Sequence, residues 1–226
     1  METDKLIKRL IDEFNQQKIS GHMVTRPLSP AVLQARVWPE KLSPEKITQA
    51  QDMYFVIEGE ACVGAVLSTD TEVYAFVLAA HRRKGHMSKA LREVILPHLL
   101  QHKPILRITL NLMPSGEKIY TAAKRLALAV GFEVLREDAG VCKMAMDGGR
   151  LKIRQYIAGE NTGLEPGKTA ALKGQILFAG NLLSLVRTEL EFKLGISGYT
   201  EDLSDIVSAV FKRADMLDSA WFQGKK

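Results

Sequence analysis

The sequence is poor in sulfur that could bridge: it has two cysteines in 226 residues. Cys62 and Cys142 both lie in apolar, strand-like runs, so they are expected as buried reduced thiols of a cytoplasmic protein, not as a disulfide framework. It also lacks a lopsided charge. Its 31 Lys and Arg against 26 Asp and Glu give a formal +5, spread over both halves of the chain. That is too mild for the basic stripe of a nucleic-acid binder, though it favours anions locally. The start, METDKLIKRLIDEF, is charged and amphipathic, with no signal-peptide core. No apolar run approaches the ~20 residues of a membrane span, so no membrane association is expected. His98 and His102 are spaced i, i+4, but no carboxylate or cysteine completes a zinc set. They read as surface histidines, and no metal is expected. No Ser/His/Asp set suggests nucleophilic catalysis, and there are no internal repeats.

What is present is ordinary for a globular chain, with 46% hydrophobic and 25% charged residues. Residues 4–18 carry Leu6, Ile7, Leu10, Ile11 and Phe14 at helical spacing, predicting a helix that ends near Gly21. HMVTRPL reads as a short strand closed by Pro27. SPAVLQARV and SPEKITQAQ each open on Ser-Pro, which predicts two helix starts. From Met53, two turns, at residues 58–60 and 68–70, divide a β-rich block into three strands. Residues 86–101 read as a helix in which Pro97 predicts a kink or an early end. PILRITLNL is a further strand. SGEKIYTAAKRLALAV is a helix with Ser115 at its N-cap, stopped by Gly131. Two strands around Asp138-Ala139-Gly140 close the block.

A glycine-rich stretch then marks a boundary near 148–168. Two apolar helices follow. One carries a stripe of Leu172, Ile176, Ala179, Leu183, Val186 and Leu190, widened by Phe178, Leu182 and Leu185. The other carries Leu203, Ile206, Val207, Val210, Phe211, Ala214 and Leu217, with Thr200 as its N-cap. TGLEPGKTAAL resembles a Walker A loop, but three residues separate its glycines where four are needed. It reads as a linker entering a helix. The division is 1–148 (with 1–21 an N-terminal helix), a linker at 149–168, and a helical region at 169–226.

The stretch EVYAFVLAAHRRKGHMSKAL carries the chemistry. A strand runs into a basic loop, then a glycine, then a helix. The free N–H groups of a helix's first turn, with its dipole, favour an anion, and Gly85 lets a ligand approach the backbone. Alone, His81-Arg82-Arg83-Lys84 is equally well a solvated basic turn. In context, FVLAAHRRKGHMSKAL resembles motif A of the GNAT family of N-acetyltransferases, with Arg82, Gly85 and Met87 on its three fixed positions. Gly64 falls where the family has a glycine in its hairpin, and LAVGFEVL, with Gly131-Phe132, resembles the close of motif B. The resemblance covers roughly residues 22–147.

It implies a fold and an activity. The fold is α/β in the α+β sense: a mixed, mostly antiparallel GNAT-like sheet flanked by helices, with a C-terminal α-helical appendage. The activity is transfer of an acetyl group from acetyl-CoA to an amine by direct attack. The pyrophosphate is expected on the backbone from Arg83 through Lys84, Gly85, His86 and Met87 to Ser88, with Arg82 beside it. The pantetheine arm is expected to pair with a splayed strand end at Val77, Leu78 and Ala79. An amine of pKa near ~10 must lose a proton before it attacks, and the resemblance places Glu72 as general base.

The sequence departs from the family at two places. Met87 replaces a small residue and threatens to crowd the phosphate cradle. The tyrosine that often protonates the leaving thiolate is replaced by Ala127, leaving Tyr120, about two turns earlier, as a stand-in, as a residue lining the cofactor site, or as a helix aromatic packed against the sheet. These departures motivate the alternative of a non-catalytic member of the fold acting through its C-terminal helices. The acceptor is expected to be a small-molecule or protein amine, anionic or neutral in preference to polycationic. Residues 170–217 offer a surface for a second copy or another partner.

Overall fold

The computed structural model describes residues 2–18, 22–38, 50–70, 72–150 and 166–223. They fall into two compact units, residues 1–159 and 160–226. The first is a mixed α/β unit of antiparallel sheets flanked by helices; the second is helical.

Helix α1 (Glu2–Asn15) leads into a five-stranded antiparallel meander: β1 (His22–Ser29), β2 (Val32–Trp38), β3 (Gln51–Glu58), β4 (Ala61–Ser68) and β5 (Val73–Val77). The helix predicted from SPAVLQARV is strand β2 instead. Ser29-Pro30-Ala31 turns the chain, with the Ala31 N–H donating to Ser29 Oγ. Val32 then goes into one core and Ala35 and Val37 into the other, the two-faced burial of a pleated strand and not the single stripe of a helix. Most of SPEKITQAQ lies outside the described residues. Pro27 is tolerated inside β1 because β1 is an edge strand.

The pleat sorts the meander's side chains onto two faces. Met53, Phe55, Ala65 and Leu67 pack under α1 with Ile7, Leu10 and Ile11. Tyr54, Val56, Val63 and Val66 point the other way, into a second core. That core is covered by α2 (His86–Ala90), a π-helical turn (Leu91–Ile95) and α3 (Leu96–Leu100). Pro97 does not end this helix, which runs on to Leu100. Its missing N–H and its ring bulk are absorbed by the wider turn placed immediately before it.

After β6 (Ile105–Asn111) come a single turn, α4 (Leu112–Ser115), and α5 (Glu117–Ala129), then β7 (Glu133–Asp138) and β8 (Val141–Asp147). These strands form a second antiparallel sheet in the order β6-β8-β7. Gly116, not Ser115, stands at the N-cap of α5, with no side-chain cap. The two sheets meet through one parallel bridge, Glu72 to Arg107. Both cysteines are buried and free, Cys62 in β4 and Cys142 in β8. Burial pushes the Cys62 thiol up to about 12, so neither is the thiolate that redox or nucleophilic chemistry needs.

The second unit is a hairpin of α6 (Pro166–Leu194) and α7 (Gly198–Gln223). α7 starts a turn earlier than Thr200. Ser197 precedes it, and its N–H donates to Thr200 Oγ1, whose hydroxyl donates back to the Ser197 carbonyl. The face of α6 turned to α7 is also shifted from the predicted stripe. Ala179 and Val186 are exposed, while Gly180 and Thr169 are buried. The cause is Phe211, whose ring seats on Gly180: a Cβ there would lie 2.7 Å from Cε1. Among the described residues one helix, Gly167–Leu194, is long and apolar enough to cross a membrane by length and composition, with a mean hydropathy of 1.3. The run-based expectation missed it because Lys173 and Arg187 interrupt the apolar sequence.

Candidate functional site

The site begins with a strand edge. β5 is paired along one side with β4, from Ser68–Val73 to Gly64–Val77. On its other side lies β6, whose backbone, among the described residues, pairs with it only at the Glu72–Arg107 bridge. Beyond Glu72 the two strands share no ladder, so the outward backbone groups of β5 are open to an extended partner. The strand ends at Val77. The Leu78 N–H still pairs inward with the Val63 carbonyl, and Ala79 opens a 3₁₀ turn, Ala79–His81. Of the predicted pairing residues Val77, Leu78 and Ala79, only Val77 thus lies in the strand.

The loop that follows is built by two left-handed residues, Arg83 (φ 62°) and Gly85 (φ 84°). Gly85 takes this conformation without strain; Arg83 takes it at a cost. Arg82 Nε donates to the Val77 carbonyl at 3.1 Å, tying the loop to the strand end. Glu58, at the tip of β3, braces the loop from outside, its Oε2 3.1 Å from His81 Nδ1 and 3.1 Å from His86 Nε2. Arg83, Lys84 and Gly85 are exposed, and a Cβ on Gly85 would meet nothing within 4 Å. The first-turn N–H groups at His86, Met87 and Ser88 follow directly, with no side-chain cap at the helix start.

Met87 does not crowd this cradle. It is 5% exposed and points into the core. Its Cε lies 3.1 Å from where Gly64 would carry a Cβ. Gly64 thus has two tasks: it admits the Phe76 carbonyl of β5, 2.7 Å from the same point, and it makes room for Met87.

The two predicted catalytic residues are not brought together. Glu72 lies at the seam between the sheets. Thr109 Oγ1 donates to its Oε1 at 2.6 Å, and the Tyr74 hydroxyl donates to its Oε2. These two donors, with Lys143 and Arg107 nearby, hold its carboxyl below the usual range. Tyr74 packs on the α1 side of the sheet. Tyr120 packs on the opposite side, with Leu110, and successive residues Thr109 and Leu110 of one strand necessarily face apart. The Tyr120 hydroxyl donates to Glu137 Oε1 at 2.6 Å, while Lys124 Nζ holds Oε2 at 2.5 Å. Donation to Glu137 pushes the Tyr120 hydroxyl up to about 12. Tyr120 is a strut between α5 and β7. Sequence reasoning missed Tyr74, Thr109 and Glu58. Tyr74 had a visible signal, since i, i+2 places it on one strand face with Glu72. Thr109 had none.

His98 differs from the sequence reading, whereas His102 is exposed as expected. His98 is 4% exposed, not a surface group. Its Nε2 faces Arg26 Nη2 at 3.3 Å and its Nδ1 faces the Tyr54 hydroxyl at 3.0 Å. A guanidinium only donates, so Nε2 accepts and the proton sits on Nδ1. Among the described residues no group of three or more His, Cys, Asp or Glu could hold a metal ion.

No family model matches the chain, and no curated protein matches it. A solved structure with partial similarity is a GNAT family acetyltransferase from Elizabethkingia anophelis with acetyl-CoA bound. It is 14% identical, and the match covers 43% of this chain and 76% of that one with a TM-score of 0.31.

Proposed function

We propose that the chain is an acyltransferase of the GNAT type that takes acetyl-CoA as donor and an amine as acceptor. The observation that carries this reading is the continuity of an open strand edge with an anion cradle. β5 has no ladder partner on β6 beyond Glu72, although Arg82 Nε donates to the Val77 carbonyl, and its end leads through Arg82 to Gly85 directly into the uncapped helix start at His86–Ser88. A pantetheine arm is an extended chain with amides, suited to a strand edge, and a pyrophosphate suits a helix start ringed by Arg82, Arg83 and Lys84. In the transfer, the amine nitrogen forms a bond to the thioester carbonyl carbon, the C–S bond breaks, and the amine's proton passes to a base while the thiolate takes one up. Glu72 is the carboxylate best placed on the seam to take that proton.

A specific observation favours a second reading, a non-catalytic member of the same fold. Both oxygens of Glu72 already accept hydrogen bonds, and its lowered pKa makes it a weak base. Ala127 is buried where the family has tyrosine, and Tyr120 is committed to Glu137.

Thermal stability with acetyl-CoA, free CoA and no ligand, together with thiol release across a panel of amines, separates the two. Binding raises the melting temperature with either ligand, and R82A/R83A/K84A weakens that shift. No shift with either ligand overturns the reading. A shift without thiol release on any amine selects the non-catalytic form. A second measurement probes Glu72 directly. In T109V one of its two donors is gone, so its carboxyl titrates at higher pH than in the parent, toward the ordinary value of 4.5. An unchanged carboxyl titration by NMR contradicts the assigned hydrogen bond.

A further inference from the structure

The helical hairpin of residues 166–223 leaves large apolar side chains exposed on both of its helices. Ala179 and Val186 on α6 are exposed, Val186 to 47%, and Tyr199, Ile206 and Met216 on α7 are 65%, 50% and 46% exposed. A helix apolar on all sides calls for more than one neighbour, and within the hairpin α6 has only α7. Two features argue against a membrane as the cover. The uncharged run of α6, Gly174 to Val186, is about 20 Å long at the α-helical rise, short of the roughly 30 Å hydrocarbon core. α7 also carries Asp202, Asp205, Lys212, Arg213 and Asp215 on exposed positions along its length.

Those charges have an order. Exposed residues on one flank of α7 run Tyr199, Asp202, Ile206, Ala209, Arg213, Met216 at spacings of three and four, which keeps them on one stripe. Laid antiparallel on itself about the point between Ile206 and Ala209, this stripe pairs Asp202 with Arg213, Ile206 with Ala209, and Tyr199 with Met216. Opposite charges meet twice, and apolar groups meet elsewhere. On α6, helical periodicity places Ile176, Ala179, Leu183, Val186 and Leu190 on the same side of the hairpin, and that stripe is centred on Leu183.

The two centres coincide in height. Phe211 stands against Gly180, and Arg187 Nη1 donates to Ser204 Oγ at 3.0 Å. This register sets Leu183 level with residues 207 and 208, the midpoint of the α7 stripe. One two-fold axis therefore serves both helices.

We propose that two copies of this chain associate through the C-terminal hairpin, α7 antiparallel to α7 and α6 to α6, forming a four-helix bundle with reciprocal Asp202–Arg213 contacts between copies. Asp202 and Arg213 of one copy are about 16 Å apart along their helix, too far to pair within it.

Sedimentation velocity of the full chain tests this with D202R, R213D and the D202R/R213D exchange, each checked for helical content. The parent is a dimer. Each single substitution sets like charges face to face twice and weakens the dimer by roughly tenfold or more. The exchange restores it, because each copy again meets the opposite charge. A monomeric parent overturns the proposal, as does a dimer indifferent to the single substitutions or an exchange that fails to restore. A monomeric parent that floats with phosphatidylglycerol vesicles overturns it in favour of a membrane surface.

Discussion

G64A lowers the stability of the first unit by about 2–3 kcal/mol, the cost of forcing a methyl group into a filled site. Backbone conformation is not the cause, because Gly64 has no positive φ. The cause is a carbonyl. The added Cβ would sit 2.7 Å from the Phe76 oxygen, and backbone cannot rotate out of the way as a side chain can. β5 must move away from β4, or the Val56–Ile57 irregularity opposite must widen. Either movement also displaces Met87, whose Cε is 3.1 Å from the new atom, and with it the start of α2. G64A is therefore expected to reduce stabilisation by acetyl-CoA as well as intrinsic stability. Urea denaturation with and without the ligand measures both. A variant of parental stability contradicts the close packing, and one that loses stability while retaining the full ligand-induced shift separates the strand contact from the cradle.

The protein loses about 3 kcal/mol of stability between pH 6.5 and pH 4 through His98 alone. Desolvation, then the neighbouring Arg26 and His102, hold the imidazole at about 4 against an ordinary 6.5, with Asp52 the weak opposing influence. The sign follows from which state binds the proton. Above pH 6.5 the side chain is neutral in both states and its contribution is complete. As pH falls through 6.5 the unfolded chain takes up a proton that the folded chain refuses, so unfolding gains. Below about 4 the folded form protonates too and the loss levels off. A charged Nε2–H would also face the Arg26 guanidinium. H98Q removes the titration, so its stability is expected to fall less steeply than the parent's across that window. Parallel profiles for parent and variant would remove His98 as the cause.

The elements that were legible in the sequence are those whose periodicity is self-contained. α1, the β3–β4–β5 run, β6 and α5 each carry their apolar pattern within one segment, and the glycine turns at 59 and 140 are fixed by positive φ. β2 was not legible as a strand, because Ser-Pro is as good a hairpin turn as a helix start and only pairing with β1 and β3 decides between them. His98 was misplaced because one Arg and one Tyr, each more than 40 residues away in sequence, are what make its burial tolerable. In the candidate site, the strand, loop and glycine were local and could be read. The relation of Glu72 to Tyr120 could not, since it depends on which face of two separate sheets each residue occupies. Met87 shows the same limit: its fit is written in Gly64, twenty-three positions earlier.

The single bridge between the sheets also has a kinetic meaning. In the meander every strand pairs with its sequence neighbour, so its loops close at low entropic cost. The second sheet inserts β8 between β6 and β7, and β6 must wait for a strand some thirty residues further on, across the whole of α5. The seam at Glu72 is then the boundary between a half that assembles from near contacts and a half that assembles from distant ones. The proposed ligand, lying along that seam, would touch the last joint of the first unit to close.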